Sequence, residues 1–314
     1  MSTTTATVVS NKSTTGRSIS WKLRLVRSWF ATLSRVSPRA AGWQAARIFF
    51  TPHRRTPRAP GVLAGIEPSE LRIRVGDDSV VGWSYGRGPA VLLVHGWGGC
   101  ARDWSELAPL VVAAGYRAVL FDLPAHGLSG GKRTALPDMV RAIHTLAHEL
   151  AFGPGGAMEP LEAVVAHSFG GAAAVLAMRD GLQARRVVLV NPVGDPMSFA
   201  DPVSHTLGLS RAARAEMRER IRIRAGGDLA RIDVVRAAGE LSIPGLVVHD
   251  ADDATVPFAQ GRAIARAWPG ARLVTARGLG HRGVLTSPGV LAAVTAFASG
   301  RIVDETMIAS VPGA

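Results

Sequence analysis

Short apolar runs alternate with helical stretches over most of this 314-residue chain. Six of the runs are almost wholly apolar: AVLLVH, YRAVLFD, LEAVVAH, RRVVLVN, PGLVVHD and ARLVTA. Such strands are typical of a parallel sheet covered by helices on both faces. Ahead of them, LRIRV and VVGWSY flank a turn at residues 76–79 and predict an antiparallel hairpin. The pattern therefore predicts an α/β fold with a mostly parallel central sheet, whose ligands bind at the carboxyl ends of the strands.

The same pattern divides the chain into segments. Residues 1–19 are rich in Ser and Thr and are predicted to be a disordered tail. A basic amphipathic helical extension and linker follow at residues 20–60, and the main domain occupies residues 61–300. Within it, a mostly helical insert at about 194–240 occupies the position of a small cap, and residues 301–314 form a C-terminal tail.

The extension predicts two helices, the second beginning after the capping pair Ser37-Pro38 and ending near Phe50. We expect the apolar stripe of the first helix to dock on the main domain, and burial of its tryptophans would support this. Peripheral contact with an anionic membrane and a role as a targeting peptide are the alternatives. The stripe consists of Trp21, Leu25, Trp29 and Leu33, widened by Val26, Phe30 and Val36.

The net charge of +12 changes this picture only for the extension. Residues 1–66 contain eleven Lys or Arg and no acid, so the rest of the chain is nearly neutral. This distribution argues against a nucleic-acid-binding surface on the main domain. The single cysteine, Cys100, excludes an intrachain disulfide and suits a reducing, cytoplasmic compartment. No apolar run reaches the ~18 residues that a membrane-spanning helix needs.

The stretch AVVAHSFGGAAA contains the first candidate for chemistry. A strand leads directly into Ser168, and a helix begins at once, which is the context of a nucleophile elbow. The tight turn requires small residues two positions before and after the serine, and Ala166 and Gly170 meet that requirement. The position at a helix N-terminus favours developing negative charge.

A serine nucleophile needs a base, and the base needs an orienting acid. The loop after the strand PGLVVHD offers Asp250, Asp252 and Asp253, and the loop after ARLVTA offers His281. All of them follow the carboxyl ends of predicted parallel strands, so they can meet Ser168 at one edge of the sheet. The order of nucleophile, acid and base along the chain is that of α/β-hydrolases.

Residues 72–298 resemble the α/β-hydrolase superfamily, through five motifs in the family's order. LLVHGWGG is similar to its His-Gly loop, FDLPAHGLSG to the segment that follows, and AHSFGG to its elbow. HDADDATVP is similar to its acid loop and GLGHRGVL to its histidine loop. Ala125 and Ala166 replace glycines of the family, and we expect both replacements to be sterically mild.

The resemblance implies roles for individual residues. The family's acid stands four residues before the proline of its loop, which is Asp253 here. With Ser168 and His281 it would form a catalytic triad. The resemblance also implies an oxyanion hole made by the backbone N–H groups of Phe169 and Trp97.

Two glycine patterns suggest cofactors, and neither is expected to bind one. GLGHRG spells G-x-G-x-x-G, but only 31 residues follow it, too few to build a dinucleotide-binding sheet. SGGKRT lacks the Ser or Thr that a P-loop has after its lysine. Metal-ligand spacing is absent as well, so the other histidines near strand ends are expected to shape loops by hydrogen bonding. These are His95, His126, His167 and His249.

The predicted function is hydrolysis of a small-molecule ester or thioester through an acyl-enzyme, without a cofactor. Alternatives are acyl transfer, C–C bond hydrolysis or perhydrolysis on the same fold, and non-catalytic binding. Trp97 and Phe169 would line a pocket that suits an apolar acyl group. The Arg-rich insert is expected to form a solvated face, the alternative being that some arginines, such as Arg218, attract an anionic substrate.

Overall fold

A computed structural model describes residues 21–151 and 159–303. The predicted tail at residues 1–19 and nearly all of the predicted tail at 301–314 lie outside these ranges. None of the helices in the described ranges is long and apolar enough to cross a bilayer.

The centre of the fold is an eight-stranded sheet in the order β1-β2-β4-β3-β5-β6-β7-β8. The first three strands in this order pair antiparallel, and every later pair is parallel. Strands β3, β5 and β7 are buried along their whole length, as their apolar runs predict. The strands are β1 Ser69–Val75, β2 Asp78–Tyr85, β3 Ala90–Val94, β4 Arg117–Phe121, β5 Ala163–His167, β6 Val187–Val190, β7 Gly245–Asp250 and β8 Ala271–Ala276.

Helices cover both faces of this sheet, and the α/β prediction is confirmed. One apolar layer lies under helices α4, α5, α8 and α9, and the other lies under α3 and α11. The helices are α1 Trp21–Val36, α2 Pro38–Phe49, α3 Leu107–Ala113, α4 Leu136–Ala151, α5 Phe169–Arg179, α6 Ala200–Leu207, α7 Arg211–Arg224, α8 Val234–Gly239, α9 Phe258–Ala267, α10 Gly280–Gly283 and α11 Pro288–Ala298.

The N-terminal helices pack on the helical insert. Helix α2 begins where the sequence predicts, with the Ser37 hydroxyl accepting a hydrogen bond from the Ala40 N–H. It crosses α7 so closely that a Cβ at Gly42 would lie 2.6 Å from the Ala213 carbonyl oxygen. Phe30 of α1 is buried in the same cluster. The insert and the extension therefore form one helical layer.

The apolar stripe of α1 is only partly used in this layer. Phe30 is 1% exposed, whereas Trp21 is 67% exposed and Trp29 is 52% exposed. Burial of the two tryptophans, which would have supported docking on the main domain, is not found. The helix packs through one edge of its stripe and leaves the rest in contact with solvent.

The predicted linker after α2 is anchored to the main domain. The Arg54 guanidinium donates hydrogen bonds to the carbonyls of Ala125, Ser129 and Gly131, at 3.0, 2.6 and 2.8 Å. The Phe50 carbonyl accepts another hydrogen bond from the Thr134 N–H. These contacts hold the C-terminal end of α2 beside the loop that precedes α4.

Candidate active site

The junction of β5 and α5 is a strained turn centred on Ser168. This residue has φ 54° and ψ −123°, a conformation that few residues other than glycine adopt. Close packing enforces it: a Cβ at Gly170 would lie 2.3 Å from the His95 carbonyl oxygen, and Ala166 is wholly buried. The small residues predicted for the elbow are therefore required by its surroundings.

His281 lies between Ser168 and Asp253. Its Nε2 is 3.1 Å from the Ser168 hydroxyl oxygen, and its Nδ1 is 2.7 Å from Oδ2 of Asp253. Because an ionised carboxylate only accepts hydrogen bonds, Nδ1 carries the proton and Nε2 can accept one from the serine hydroxyl. The structure thus brings the three predicted residues into one hydrogen-bonded chain, although more than 80 residues separate Ser168 from Asp253.

The Asp253 carboxylate is fixed by its own hydrogen bonds. Oδ1 accepts from the N–H groups of Thr255 and Val256, at 2.7 and 3.0 Å, which leaves Oδ2 for His281. Burial alone would raise the pKa of Asp253, but the hydrogen bonds from His281 and the two backbone groups outweigh it and lower the pKa. The side chain is therefore held as a carboxylate.

The two other aspartates of this loop contact backbone instead of the imidazole. Asp252 accepts a hydrogen bond from the Gly278 N–H at 3.0 Å, and Asp250 accepts from the Leu279 N–H at 2.8 Å. Both tie the acid loop to the histidine loop. The structure thus places Asp253, rather than Asp250 or Asp252, beside His281.

Two further side chains hold the histidine loop, and the sequence pattern points to only one of them, His167. The Asn191 amide donates to the carbonyls of Gly280 and His281, each at 3.2 Å, and its oxygen accepts from the Asp250 N–H. His167 lies 2.9 Å from the same His281 carbonyl. Burial lowers the pKa of His167 to about 3, so its neutral ring donates this hydrogen bond through Nε2–H.

The loop after β3 carries Trp97, and two buried histidines shape it. His95 accepts from the Leu123 N–H at 2.9 Å, and His126 accepts from the Gly98 N–H at 3.0 Å. Burial lowers the pKa of His95 to about 4 and that of His126 to about 3, so both rings are neutral. Like His167, they make the loop-shaping hydrogen bonds that the sequence predicts.

The fourth of these histidines, His249, lies 3.0 Å from the Val256 carbonyl oxygen.

Ala125, in the loop that carries His126, has φ 65°, where its Cβ adds strain that a glycine avoids. This alanine is therefore not as mild a replacement as expected.

Trp97 and Phe169 flank the nucleophile. Gly96, before Trp97, packs so tightly that a Cβ there would lie 2.8 Å from Cβ of Ser168, and Phe169 follows the serine directly. Their aromatic rings lie 5.7 Å apart, centroid to centroid. Both line one wall of the cavity in front of Ser168.

This cavity has a volume of about 310 Å³ and a mostly apolar wall. Side chains of the insert form part of the cavity wall, among them Met197, Phe199 and Ile221. Phe49 and Phe50, at the end of α2, complete the wall. Periodicity in the sequence assigns these two phenylalanines to a helix but does not show that the helix ends at the site. Within the described ranges, no group of His, Cys, Asp and Glu side chains could hold a metal ion.

Comparisons with known proteins agree with the fold and the motifs. The model of the alpha/beta hydrolase family matches residues 91–294. A pimeloyl-[acyl-carrier protein] methyl ester esterase of Xanthomonas campestris pv. campestris is 30% identical over 241 residues, covering 62% of this chain and 89% of the relative. The enzyme of the same name from Xanthomonas oryzae pv. oryzae is 31% identical over 228 residues, with the same coverage of both chains. The chain therefore belongs to the alpha/beta hydrolase family.

Solved structures share the fold at lower identity. The Pyrococcus furiosus esterase Pf2001 aligns with a TM-score of 0.60 and 16% identity, over 77% of this chain and 98% of its own. A bromoperoxidase from Bacillus anthracis aligns with a TM-score of 0.55 and 20% identity, over 73% of this chain and 99% of its own. The match to the family model begins at residue 91, so the N-terminal extension lies outside it.

Proposed function

We propose that this protein is a serine hydrolase that cleaves a carboxylic ester or thioester through an acyl-enzyme. The observation that carries the proposal is the hydrogen-bonded chain from Ser168 through His281 to Asp253, at the mouth of an apolar cavity. The ester chemistry named for the Xanthomonas relatives supports the same reaction class. A small-molecule acyl compound is then the substrate.

In the proposed mechanism, the Ser168 hydroxyl attacks the acyl carbonyl while Nε2 of His281 takes its proton. Asp253 keeps the proton of the imidazole on Nδ1 and stabilises the cation that forms. The backbone N–H groups of Trp97 and Phe169 hold the oxyanion, each contributing about 3 kcal/mol to transition-state stabilisation. His281 then protonates the leaving group and activates the water that releases the acid. No step requires a metal or cofactor.

Hydrolysis of p-nitrophenyl esters with acyl groups from acetyl to dodecanoyl tests this function. We expect kcat/KM to rise by up to roughly fourfold per methylene while the apolar cavity fills, and then to fall. Addition of alcohols or amines should leave the free acid as the main product. Formation of ester or amide products would instead show that the protein is an acyltransferase. A folded protein without activity on any ester would contradict the proposed function.

For localisation, we propose a cytoplasmic protein that contacts the membrane peripherally through the extension and does not bind nucleic acid. The exposed part of the α1 stripe includes Trp21, Leu25 and Trp29, the first two more than 60% exposed. No acidic residue precedes Glu67, so this surface complements anionic headgroups. The occupant that we propose for the stripe is an anionic lipid surface.

Sedimentation of the full-length protein with phosphatidylcholine vesicles, with and without phosphatidylglycerol, tests this contact. We expect binding only to the anionic vesicles, weakened about tenfold by Trp21→Ala/Trp29→Ala because apolar contact area is lost. The variant Val62→Ala/Leu110→Ala, which trims exposed apolar side chains of the main domain, should bind like wild type. Equal binding of wild type to both kinds of vesicle, or to neither, would contradict the proposal.

A further inference from the structure

A second cavity lies beside the one that contains Ser168. It has a volume of about 1480 Å³ and lies between α2, α4, α7 and the loop at residues 131–133. We call it the basic groove because eight Lys and Arg side chains line it, against two carboxylates. Six of the cations are Arg47, Lys132, Arg133, Arg220, Arg224 and Arg231.

Ion pairs neutralise only part of this charge. Asp138 contacts both Arg141 and Arg224, at 3.1 and 2.5 Å, and Glu216 contacts Arg220 at 2.6 Å. With these two carboxylates included, four acids face the eight cations of the groove. The groove therefore keeps an excess of positive charge, which attracts an anionic ligand.

The basic groove and the apolar cavity share part of their lining. Phe50, Pro137, Ala225 and Ile232 border both spaces. The two spaces therefore adjoin at these four residues. Such a division into an apolar and a cationic compartment fits an amphipathic substrate.

The structure identifies which arginines of the insert face this space. Arg218, named as the example for the alternative that some arginines attract an anionic substrate, is not part of the groove lining and pairs with Asp201 at 3.0 Å. Arg220 and Arg224, two and six residues further along α7, do line it. The helix thus divides its arginines between a solvated face and the groove.

We propose that the basic groove binds the phosphate-bearing head of the acyl substrate, an inference that rests on the proposed hydrolase function. Arginine pairs with phosphate through two parallel hydrogen bonds, and several arginines suit a group with more than one negative charge. The volume of the groove exceeds what a single carboxylate needs. The head belongs to either a phosphorylated soluble thiol or a phospholipid, and both share this chemistry.

Binding to the Ser168→Ala variant tests the groove without turnover. The probes for calorimetric titration are coenzyme A, for a soluble thiol, and 1-hexanoylglycerol 3-phosphate, for a lipid head. We expect one of them to bind, and Lys132→Glu/Arg133→Glu to weaken that binding by about tenfold or more. The control Arg211→Glu/Arg262→Glu makes the same charge change at exposed positions outside the groove and should leave the affinity unchanged.

The probe that binds identifies the source of the phosphate. Absence of binding by both probes, or equal weakening by the groove variant and the control, would overturn the proposal.

A kinetic comparison then links the groove to catalysis. Hexanoyl-coenzyme A and hexanoyl-N-acetylcysteamine carry the same thioester, but only the first carries phosphates. We expect Lys132→Glu/Arg133→Glu to lower the ratio of their kcat/KM values by about tenfold. If coenzyme A is the probe that binds, an unchanged ratio would overturn the proposal. Binding of coenzyme A by a protein that hydrolyses neither thioester and no p-nitrophenyl ester would contradict the hydrolase function and still support the phosphate site.

Discussion

Replacement of Ser168 by alanine is expected to lower kcat/KM for ester hydrolysis by about 10⁴-fold or more, with no loss of fold. The hydroxyl is the only group removed, and it lies 3.1 Å from Nε2 of His281. Alanine has the same Cβ as serine, so it adds no backbone strain at φ 54°. Steady-state rates with a p-nitrophenyl ester measure the loss, and thermal unfolding checks the fold.

The matched control for this variant is Ser198→Ala. Ser198 lies in the insert, where its hydroxyl donates a hydrogen bond to the Asp195 carbonyl. We expect its activity to stay within a few-fold of wild type, because the hydroxyl is not part of the chain to Asp253. Comparable losses in both variants would show that the assay reports damage to the cavity and not loss of a nucleophile.

Replacement of Asp253 by asparagine is expected to lower kcat by roughly 10³- to 10⁴-fold. In the present geometry, Oδ1 accepts two backbone N–H groups, so an asparagine would keep its oxygen there and turn its NH₂ group toward His281. Nδ1 of the imidazole would then have to accept a hydrogen bond. The proton would move to Nε2, which could no longer take one from Ser168.

Asp252→Asn separates this effect from a general loss of acid in the loop. The Asp252 carboxylate accepts a hydrogen bond from the Gly278 N–H, and an asparagine oxygen can accept the same bond. We expect kcat to fall by less than about tenfold, with the pH dependence of the rate unchanged. A larger loss in Asp252→Asn than in Asp253→Asn would contradict this account, because it would show that Asp252 orients the imidazole.

The elbow could be predicted from sequence because its requirements are local. An apolar strand, a serine and small residues on either side describe a turn whose crowding is visible at Gly170. The orienting acid is harder to predict from sequence, since Asp250, Asp252 and Asp253 all lie at or just after the end of the same strand. Their position after the strand does not separate them, and only the family resemblance favours Asp253. Three-dimensional hydrogen bonding distinguishes them, because Oδ2 of Asp253 alone among these aspartates meets the imidazole.

Other parts of the site depend on contacts between distant segments. Asn191 directly follows β6 and holds the histidine loop about 90 residues further on, a pairing that no periodicity reveals. Phe49 and Phe50 reach the cavity because Arg54 anchors the linker to the loop before α4. The α1 stripe shows the same limit, since its period predicts a helix but not that Phe30 is buried while Trp29 is exposed.

Fluorophosphonate labelling, mapped by mass spectrometry, tests the central claim most directly. The reagent phosphonylates an activated serine, so we predict one adduct, at Ser168, in the wild-type protein. It should be absent in Ser168→Ala and much slower to form in His281→Ala, because the imidazole makes the serine nucleophilic. Absence of labelling in the folded wild type, or an adduct that forms equally fast without His281, would contradict the account.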